Sequence, residues 1–553
     1  MHRAFLRGTG HSAQDVRRYP VIGIANSASD LSPCNAGLAH LVDDVKQGVR
    51  EAGGLPLAFP TISISEPFTR PTSLYLRNLM SMDIEEMIST APIDGVVLLG
   101  GCDKTVPAQI MGAVSANKPA VMLVAGPRPV SCHRDNPELT VDDAWPLCDA
   151  RRAGTVDDDE WGELEANLNT GVGTCNVLGT AASMAAVAEV LGFALPGSSF
   201  QDATSPSRTE IARATGQAAV AAARDGRTPR ERITLAALEN AFRTVTALGG
   251  STNTVIHLEA IAGRAGHRIG IDRFDDWSRT TAYLANVRPG GTHTLPALAA
   301  IGGVPRVMHE IRADLHLAER TALGTTWARA LDGVATTDPG DVLFARPEPG
   351  SLRVLRGNLA PAGALVKLAG VRSDVLLRHR GRVIVFDGIE DLNARIDDPG
   401  LDVDASSILV LRGLGPVGAP GMPEVGHLPI PAKLHRAGVT DMVRISDARM
   451  SGTSTGMVVL HVAPEAAVGG PLAYLRDGDE VEIDVAAGTL RHLVDEDELL
   501  ARTPVPVRSG PARGFGRLHA DHVLQADEGC DFDFLQDPLV AEPSEHQAPA
   551  ALP

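Results

Sequence analysis

A cysteine, an aspartate and a lysine stand side by side at positions 102–104, directly after an apolar run that ends in Gly100 and Gly101. A thiol suits soft metals, a carboxylate suits hard cations, and a protonated amine repels both. Pro107 then opens a second apolar stretch, and proline is well suited to the first turn of a helix. The pattern predicts a chemically active loop between a buried strand and a helix.

Two further cysteines occur in the same setting. Cys34, in "SDLSPCNAGLAHLV", precedes a helix predicted at 35–53, and Cys175, in "TGVGTCNVLGTAASM", precedes one predicted at 178–192. A helix N-terminus lowers the pKa of a thiol and favours the metal-binding thiolate. With Cys102 they would supply three soft ligands at the carboxyl ends of parallel strands, enough for an iron–sulfur cluster with one open iron. A single cysteine is usually a small buried hydrophobe, so the shared placement carries this prediction.

Carboxylates that could hold a hard cation lie in three loops. Glu66 is in "TISISEPFTRPT", Asp103 follows Cys102, and Glu424 is in "GPVGAPGMPEVG". Such oxygen ligands suit Mg²⁺, although a surface carboxylate is the ordinary alternative for each. Lys104 beside a cation must point away, lose its proton or be modified. A carbamate formed with CO₂ would make it an oxygen ligand, and the residues alone leave these options open.

A dense run of small polar residues, "RISDARMSGTSTG", contains Ser451 and Thr453. Serine, threonine and glycine in such a run most often form a simple turn. A serine acts as a base only where a metal or another group lowers the pKa of its hydroxyl.

The first 340 residues predict a doubly wound α/β domain. Apolar runs at 21–26, 94–101 and 119–126 are typical of buried parallel strands, with amphipathic helices between them. The Ala-rich run at 177–195 contains Glu189, which favours a buried helix over a membrane span.

From about residue 340 the pattern changes to short, β-branched segments separated by turns, which predicts a β-barrel or sandwich. The predicted strands are "VLFA", "RVLRG", "ALVKLAG", "RVIVFDG", "SSILVLRG", "DMVRISD" and "DEVEIDV". We therefore divide the chain into an α/β domain at 1–340, a β-barrel domain at 341–537 and a disordered tail at 538–553.

Composition narrows the classes of partner. The 553-residue chain has a net charge of −18 and only 4% aromatic residues, which argues against nucleic-acid binding. The start lacks an apolar leader, so we expect a cytoplasmic protein without a membrane partner. Its six cysteines form no CxxC pair and are expected to be reduced, and we assign no role to Cys132 or Cys148.

Five motifs resemble the dihydroxy-acid/6-phosphogluconate dehydratase family, and the resemblance runs from about 20 to 537. They are "GGCDKTVPAQIMGA", "GTCNVLGTAASM", "LGGSTNTVIHL", "GPVGAPGMPE" and "ISDARMSGTSTG". Three other segments are most similar to the aldonic (sugar) acid dehydratase branch, whose typical substrates are pentonates such as arabinonate and xylonate. These are "SDLSPCNAGL", "RPTSLYLRNLMSMDIEEMI" and "HVLQADEGCDFDFL".

The resemblance implies an α/β domain and a C-terminal β-barrel with the site between them. It implies a [2Fe–2S] cluster, rather than [4Fe–4S], on Cys34, Cys102 and Cys175. It implies a Mg²⁺ site made by Glu66, Asp103, Glu424 and a carbamylated Lys104. It also implies Ser451 as the catalytic base with Thr453 close by, and a homodimer or homotetramer.

The implied reaction converts a 2,3-dihydroxy (aldonic) acid to a 2-keto-3-deoxy acid without redox change. The loop "GVGTCNVLGTAAS" and the segment at 359–371 depart from the sequence that is usual in the family, so the identity of the substrate stays open.

Three rival functions remain. The first is the dihydroxy-acid dehydratase of branched-chain amino-acid synthesis, with the same chemistry on a more apolar substrate. The second is a non-catalytic iron–sulfur sensor, which would need only the cysteines. The third is a phosphate-binding protein, which the absence of a GxxxxGK[ST] loop disfavours.

Overall fold

The computed structural model of the chain describes residues 2–336, 340–371, 373–506 and 510–538. The tail predicted to be disordered, 538–553, lies outside the described residues except for Pro538, so that prediction is not tested.

Helices dominate the first part of the described chain, and strands dominate the part after residue 340. In chain order, the strands are β1 Val21–Asn26, β2 Leu55–Pro60, β3 Gly95–Gly100, β4 Ala120–Val124, β5 Ser131–His133, β6 Asn136–Leu139, β7 Ala282–Ala285, β8 Leu343–Pro349, β9 Leu352–Gly357, β10 Ala360–Lys367, β11 Arg378–Asp387, β12 Ile408–Arg412, β13 Arg444–Ser446, β14 Val458–Ala463, β15 Glu480–Asp484 and β16 Thr489–His492. The helices are α1 His2–Gly8, α2 Asp15–Arg18, α3 Pro33–Ala36, α4 Leu38–Glu51, α5 Ser73–Thr90, α6 Thr105–Ala116, α7 Ala144–Arg152, α8 Asp158–Leu168, α9 Thr180–Val190, α10 Ser207–Asp225, α11 Pro229–Arg232, α12 Leu235–Leu248, α13 Asn253–Arg264, α14 Ile271–Arg279, α15 Leu295–Ala300, α16 Gly303–Glu310, α17 Trp327–Leu331, α18 Gly388–Arg395, α19 Ala432–Arg436, α20 Glu496–Leu500 and α21 Gly514–His522.

A parallel four-stranded sheet in the order β2-β1-β3-β4 forms the centre of the N-terminal part. Ile22 of β1 lies opposite Gly95 of β3, and Val96 of β3 lies opposite Ala120 of β4. β3 and β4 are buried along their whole lengths. They are apolar at every position because helices cover both faces of the sheet.

Helices α4 and α10 pack against one face of the sheet, and α5 and α6 pack against the other. The approach of α4 to α10 is close enough to require glycine. A Cβ added at Gly48 would collide with the backbone of Arg213, and one at Gly216 would collide with that of Val45. This arrangement confirms the predicted α/β architecture.

The Ala-rich run at 177–195 forms α9, in which every residue is buried. Its charged residue, Glu189, accepts hydrogen bonds from the backbone N–H groups of Gly197 and Ser199 at 2.6 and 3.1 Å. Burial raises the pKa of Glu189 to about 7, although these donors favour the charged form. The buried-helix prediction is confirmed, and none of the helices within the described ranges is long and apolar enough to cross a bilayer.

The C-terminal part is a closed eight-stranded barrel in the order β10-β14-β13-β12-β11-β15-β16-β9. β11, β12, β13 and β14 pair in parallel with their neighbours in that run. Val366, Val383, Ile445 and Val459 belong to the barrel's buried apolar core. The predicted C-terminal β-barrel is therefore confirmed.

One predicted strand is not part of the barrel. "VLFA" lies at the start of β8, and β8 pairs with β7 of the N-terminal part. The barrel begins instead at β9. β14 and β16 were not predicted, because β14 lies within a motif dominated by turn residues and β16 has only four residues.

The C-terminal segment returns to the α/β part. Asp531 receives two hydrogen bonds from the guanidinium of Arg264, at 2.6 and 3.0 Å, and both side chains are wholly buried. Arg77 of α5 donates to the backbone carbonyls of Gly529 and Cys530 at 2.9 and 2.8 Å. These contacts attach the C-terminal segment to α5 and α13 of the α/β part.

Candidate functional site

The side chain of Lys104 lies at the centre of a group of carboxylates between β3 and the barrel. Its ammonium is wholly buried and stands 2.7 Å from Glu424, 3.2 Å from Glu66 and 3.4 Å from Asp103. Burial and the nearby Arg449 would lower the pKa of Lys104, but the three carboxylates outweigh them and raise it. Lys104 is therefore an ammonium here. We call these four residues the carboxylate cluster.

Glu66 enters the cluster from the loop between β2 and α5. Its two carboxylate oxygens accept hydrogen bonds from the hydroxyls of Thr72, at 2.7 Å, and Ser73, at the start of α5. Burial would raise the pKa of Glu66, but Lys104 and Arg449 lower it to about 2, with help from the two hydroxyls. Glu66 is held as a charged carboxylate.

Glu424 is the barrel's contribution to the cluster. The guanidinium of Arg449 lies 2.6 Å from its Oε1 and also donates to the carbonyl of Met422 at 2.7 Å and to Thr72 at 3.1 Å. Burial pushes the pKa of Glu424 upward, whereas the two cations favour its carboxylate. At distances of 2.6 and 2.7 Å from both cations, Glu424 is ion-paired.

Asn253, at the start of α13, links the carboxylate cluster to the Ser451 loop. Its Nδ2 donates to Glu424 at 3.0 Å, to the carbonyl of Met450 at 3.2 Å and to Thr180 at 3.0 Å. Its Oδ1 is buried and has no hydrogen-bond partner among the described residues.

The three predicted cysteines converge beside this cluster. Cys102 and Cys175 both lie close enough to Cys34 to raise the pKa of its thiol. Asn35 joins two of the loops, because its Oδ1 accepts from the backbone N–H groups of Gly101 and Cys102 at 2.9 and 3.0 Å.

The lowered thiol pKa that helix position predicts is wrong for Cys34 and Cys175. The interaction with Cys102, burial and the neighbouring Cys175 raise the pKa of Cys34 well above its usual value. Burial raises the pKa of Cys175 to about 11, although Arg128 opposes it. Helix position matters little here, because Cys34 lies inside the short helix α3 and Cys175 stands several residues before α9. Cys132 and Cys148 are exposed.

Ser451 and Thr453 lie in a turn that follows β13, and we call residues 451–453 the serine turn. Their hydroxyl oxygens are 2.9 Å apart, and the backbone N–H of Thr453 donates to Ser451 Oγ at 3.3 Å. Trp145 of α7 donates its indole N–H to Thr453 Oγ1 at 3.0 Å. The ammonium of Lys367, at the end of β10, donates to the carbonyl of Gly452 at 2.9 Å.

The serine turn packs directly on the loops of the α/β part. A Cβ added at Gly452 would lie 2.7 Å from the backbone nitrogen of Thr180 and 2.8 Å from the hydroxyl of Ser251. Thr180 begins the helix that follows the Cys175 loop. Glycine is therefore needed at 452 for the barrel to bring Ser451 to the edge of the sheet where the cysteines lie.

The structure thus brings the predicted residues to one interface. Lys104 contacts all three predicted carboxylates, Ser451 contacts Thr453, and Asn253 joins the two groups. Sequence reasoning missed five residues, and all of them except Trp145 lie in segments that were quoted without a role for them. The five are Trp145, Thr72, Asn253, Lys367 and Arg449.

The donor sets fit the predicted groups chemically. Three carboxylates suit a hard cation such as Mg²⁺, and three converging thiols suit iron–sulfur ligation. In the described part of the chain, no three His, Cys, Asp or Glu side chains are arranged so that they could hold a metal as they stand. In the carboxylate cluster the Lys104 ammonium occupies the space between the oxygens, so binding of a cation requires this side chain to move or change its charge.

Comparison with known proteins gives matches along nearly the whole chain. The family model described as "Dihydroxy-acid/6-phosphogluconate dehydratase N-terminal" matches residues 19–330, and the C-terminal model of the same family matches 344–530.

Three relatives illustrate the range of similarity. The chain is 42% identical to a 6-deoxy-6-sulfo-D-gluconate dehydratase of Pseudomonas putida, with 99% of this chain and 96% of the relative covered. It is 43% identical to an L-arabonate dehydratase of Azospirillum brasilense, over the same shares of both chains. It is 37% identical to a dihydroxy-acid dehydratase of Pyrobaculum aerophilum, with 96% and 95% covered.

Proposed function

The chain belongs to the dihydroxy-acid/6-phosphogluconate dehydratase family, and from that premise we propose that it dehydrates an aldonic acid to a 2-keto-3-deoxy acid. It is a hydro-lyase. The substrate that we propose is a pentonate or a related sugar acid. The observation that carries this proposal is the link through Asn253, which joins Glu424 of the carboxylate cluster to the backbone beside Ser451. A cation-binding group and a hydroxyl base are thereby held next to each other.

Two metal groups are part of the proposal. Glu66, Asp103, Glu424 and Lys104, the last as its carbamate, would hold Mg²⁺, and Cys34, Cys102 and Cys175 would hold a [2Fe–2S] cluster. Bound there, these groups would supply Lewis acidity at the C2 and C3 oxygens of the substrate.

The chain's own residues carry the proton chemistry. Ser451 Oγ takes the C2 proton, and the hydroxyl and N–H of Thr453 stabilise the negative charge that Ser451 carries before the transfer. Arg449 and Asn253 hold Glu424 in place. The C3 hydroxyl leaves with the proton that Ser451 took from C2, so that water is released and Ser451 returns to its deprotonated form, and the resulting enol tautomerises to the 2-keto acid.

Support for the substrate class comes from the relatives. Those named for L-arabonate and sulfogluconate are 42–43% identical, whereas those named dihydroxy-acid dehydratase are 37–38% identical. The reaction of the dihydroxy-acid dehydratase of branched-chain amino-acid synthesis is therefore the alternative that the assay below tests.

Self-association is also proposed, as a homodimer or homotetramer. The support is that Leu31 and Phe68, in the loops that carry Cys34 and Glu66, are 75% and 60% exposed. Light scattering of the purified protein tests this, and a monomeric mass at all concentrations contradicts it.

The decisive experiment is an anaerobic assay. The protein is purified without oxygen, reconstituted with iron and sulfide, supplied with Mg²⁺ and screened with C4–C6 aldonates and 2,3-dihydroxyisovalerate for 2-keto acid release. We expect release from an aldonate. Release from 2,3-dihydroxyisovalerate alone supports the alternative, and release from neither overturns the proposal.

The role of Ser451 is tested by Ser451→Ala in the same assay. We expect turnover to be abolished while the visible absorption of the cluster is retained. Loss of the absorption would contradict the role of Ser451 as base.

A further inference from the structure

Trp145 connects the α/β part of the molecule to the serine turn. It lies on α7, and its indole N–H donates to the hydroxyl oxygen of Thr453 at 3.0 Å. A tryptophan side chain has one donor and no acceptor, so the direction of this hydrogen bond is certain. Thr453 Oγ1 is the acceptor.

The direction of the next hydrogen bond follows from burial. Thr453 is 4% exposed, and its hydroxyl proton has one acceptor within reach among the described residues, Ser451 Oγ at 2.9 Å. If Ser451 donated instead, the buried Thr453 hydroxyl would receive two donors and its own proton would lack an acceptor, which is costly inside a protein. Ser451 is only half-buried, so its proton can face the substrate side.

With this direction, Ser451 Oγ is the final acceptor in the series of hydrogen bonds that begins at Trp145. It accepts from the Thr453 hydroxyl and from the Thr453 backbone N–H at 3.3 Å. Hydrogen bonds donated to an oxygen favour its deprotonated form. The same arrangement therefore lowers the cost of forming the Ser451 alkoxide.

We propose that Trp145 is a positioning residue for the reaction, which sets the direction of the Thr453–Ser451 hydrogen bond so that Ser451 Oγ receives it. The inference rests on the proposed function for the role of Ser451 as base. The backbone of the serine turn is held separately, because Lys367 binds the Gly452 carbonyl and Gly452 packs on Thr180. Loss of the indole N–H therefore changes the polarity of the hydroxyl pair and leaves the turn in place.

The variant Trp145→Phe tests this, since it keeps an aromatic ring and removes the N–H. The matched control is Trp161→Phe, because the Trp161 indole donates to Glu165 at 2.7 Å on the surface of α8. We expect Trp145→Phe to lower kcat about tenfold, with KM little changed and a larger isotope effect from a C2-deuterated substrate. Trp161→Phe should behave as the wild type.

A double-mutant cycle with Thr453→Val separates positioning from simple packing. If Trp145 acts through Thr453, Trp145→Phe has no further effect on kcat in the Thr453→Val background. Additive losses in the double variant, or equal behaviour of Trp145→Phe and Trp161→Phe, would overturn the inference.

A readout that does not need turnover keeps the inference apart from the proposed function. In ¹⁵N-tryptophan-labelled protein, the Trp145 indole resonance, assigned by its loss in Trp145→Phe, should shift in Thr453→Val and also in Ser451→Ala. A shift without any dehydratase activity would support the hydrogen-bond chain and count against the proposed function. No shift in Ser451→Ala would overturn the inference even in an active enzyme.

Discussion

The carboxylate cluster and the end of β10, beside the serine turn, each contain a wholly buried lysine, and the surroundings of the two lysines are opposite. Lys104 stands within 3.4 Å of three carboxylates, which raise its pKa. Lys367 has the carbonyl of Gly452 as its hydrogen-bond partner at 2.9 Å, and burial lowers its pKa to about 8. Burial disfavours the charged form of both lysines, and nearby carboxylates outweigh this effect only at Lys104.

The different surroundings of Lys104 and Lys367 show how each half of the molecule contributes to the site. The carboxylate cluster combines Glu66, Asp103 and Lys104 of the α/β half with Glu424 of the barrel, which also pairs with Arg449. At the end of β10, Lys367 instead binds a backbone carbonyl, and this contact orients the Gly452 carbonyl beside Ser451. Four substitutions test this contrast.

The largest expected effect is that of Lys104→Met. It leaves three partly buried carboxylates with Arg449 as their remaining close cation among the described residues, so we expect the free energy of unfolding to fall by about 3–5 kcal/mol without metal. Urea denaturation measures it. The control is Lys46→Met, which removes an exposed ion pair to Asp43 and should cost under about 1 kcal/mol. Equal losses in both variants would show that the carboxylates do not depend on Lys104.

A pH dependence is expected at Lys367. Its folded-state pKa of about 8 lies below the unfolded value of 10.5, so the folded state binds fewer protons between these pH values. Stability contributed by this group therefore rises as the pH goes from 8 to 10.5, by about 3 kcal/mol. Denaturation of the wild type and Lys367→Met across this range measures the difference. If the unfolding free energies of the two proteins changed equally with pH, this would contradict a lowered pKa of Lys367.

Asn253→Ala tests how far a neutral donor supports the charged cluster. The substitution removes hydrogen bonds to Glu424 and to the Met450 carbonyl, and we expect a loss of about 1–3 kcal/mol in unfolding free energy. We also expect a lower kcat, because Glu424 and the serine turn lose their link. Asn167→Ala removes an exposed hydrogen bond to the Glu163 carbonyl and serves as the control. Full activity in Asn253→Ala would show that the link through Asn253 is not needed for catalysis.

The smallest effect on stability is expected for Cys175→Ser. The thiol is neutral because burial raises its pKa to about 11, and a hydroxyl replaces it without a change of charge. We expect unfolding free energy to change by less than about 1 kcal/mol. The visible absorption after reconstitution with iron and sulfide should nevertheless disappear, whereas the exposed Cys132→Ser should keep it. Retained absorption in Cys175→Ser would remove Cys175 from the cluster ligands.

Local pattern predicted most of the fold. The apolar runs that became β1, β3 and β4 were recognised from their composition, and α9 from its Ala-rich length. Strand pairing was harder to predict from the sequence, because the partner of a strand can be far away in the chain. β8 resembles a barrel strand locally but pairs with β7, which precedes it by a long stretch of chain.

Residue type and placement predicted the three cysteine ligands, whereas the roles of the carboxylates, of Lys104 and of Ser451 were implied by the family resemblance. The trio at 102–104, the other cysteine loops and the small-residue run at 451–453 stood out by residue type and spacing. Trp145 gave no such signal, because a lone tryptophan in a polar segment is indistinguishable from a packing residue. Arg449 and Asn253 were visible within motifs, but their shared partner Glu424 lies 25 and 171 positions away from them.

The sequence by itself determined which segments form strands, helices and loops, and that thiols, carboxylates and hydroxyls stand at loop positions after them. These properties follow from the side-chain period of each element and from the turn residues that end it. Only the tertiary structure decided the charge states and directions within the site. The Lys104 ammonium, the raised pKa values of Cys34 and Cys175 and the polarity of the Thr453–Ser451 pair depend on burial and on nearby atoms that come from distant parts of the chain.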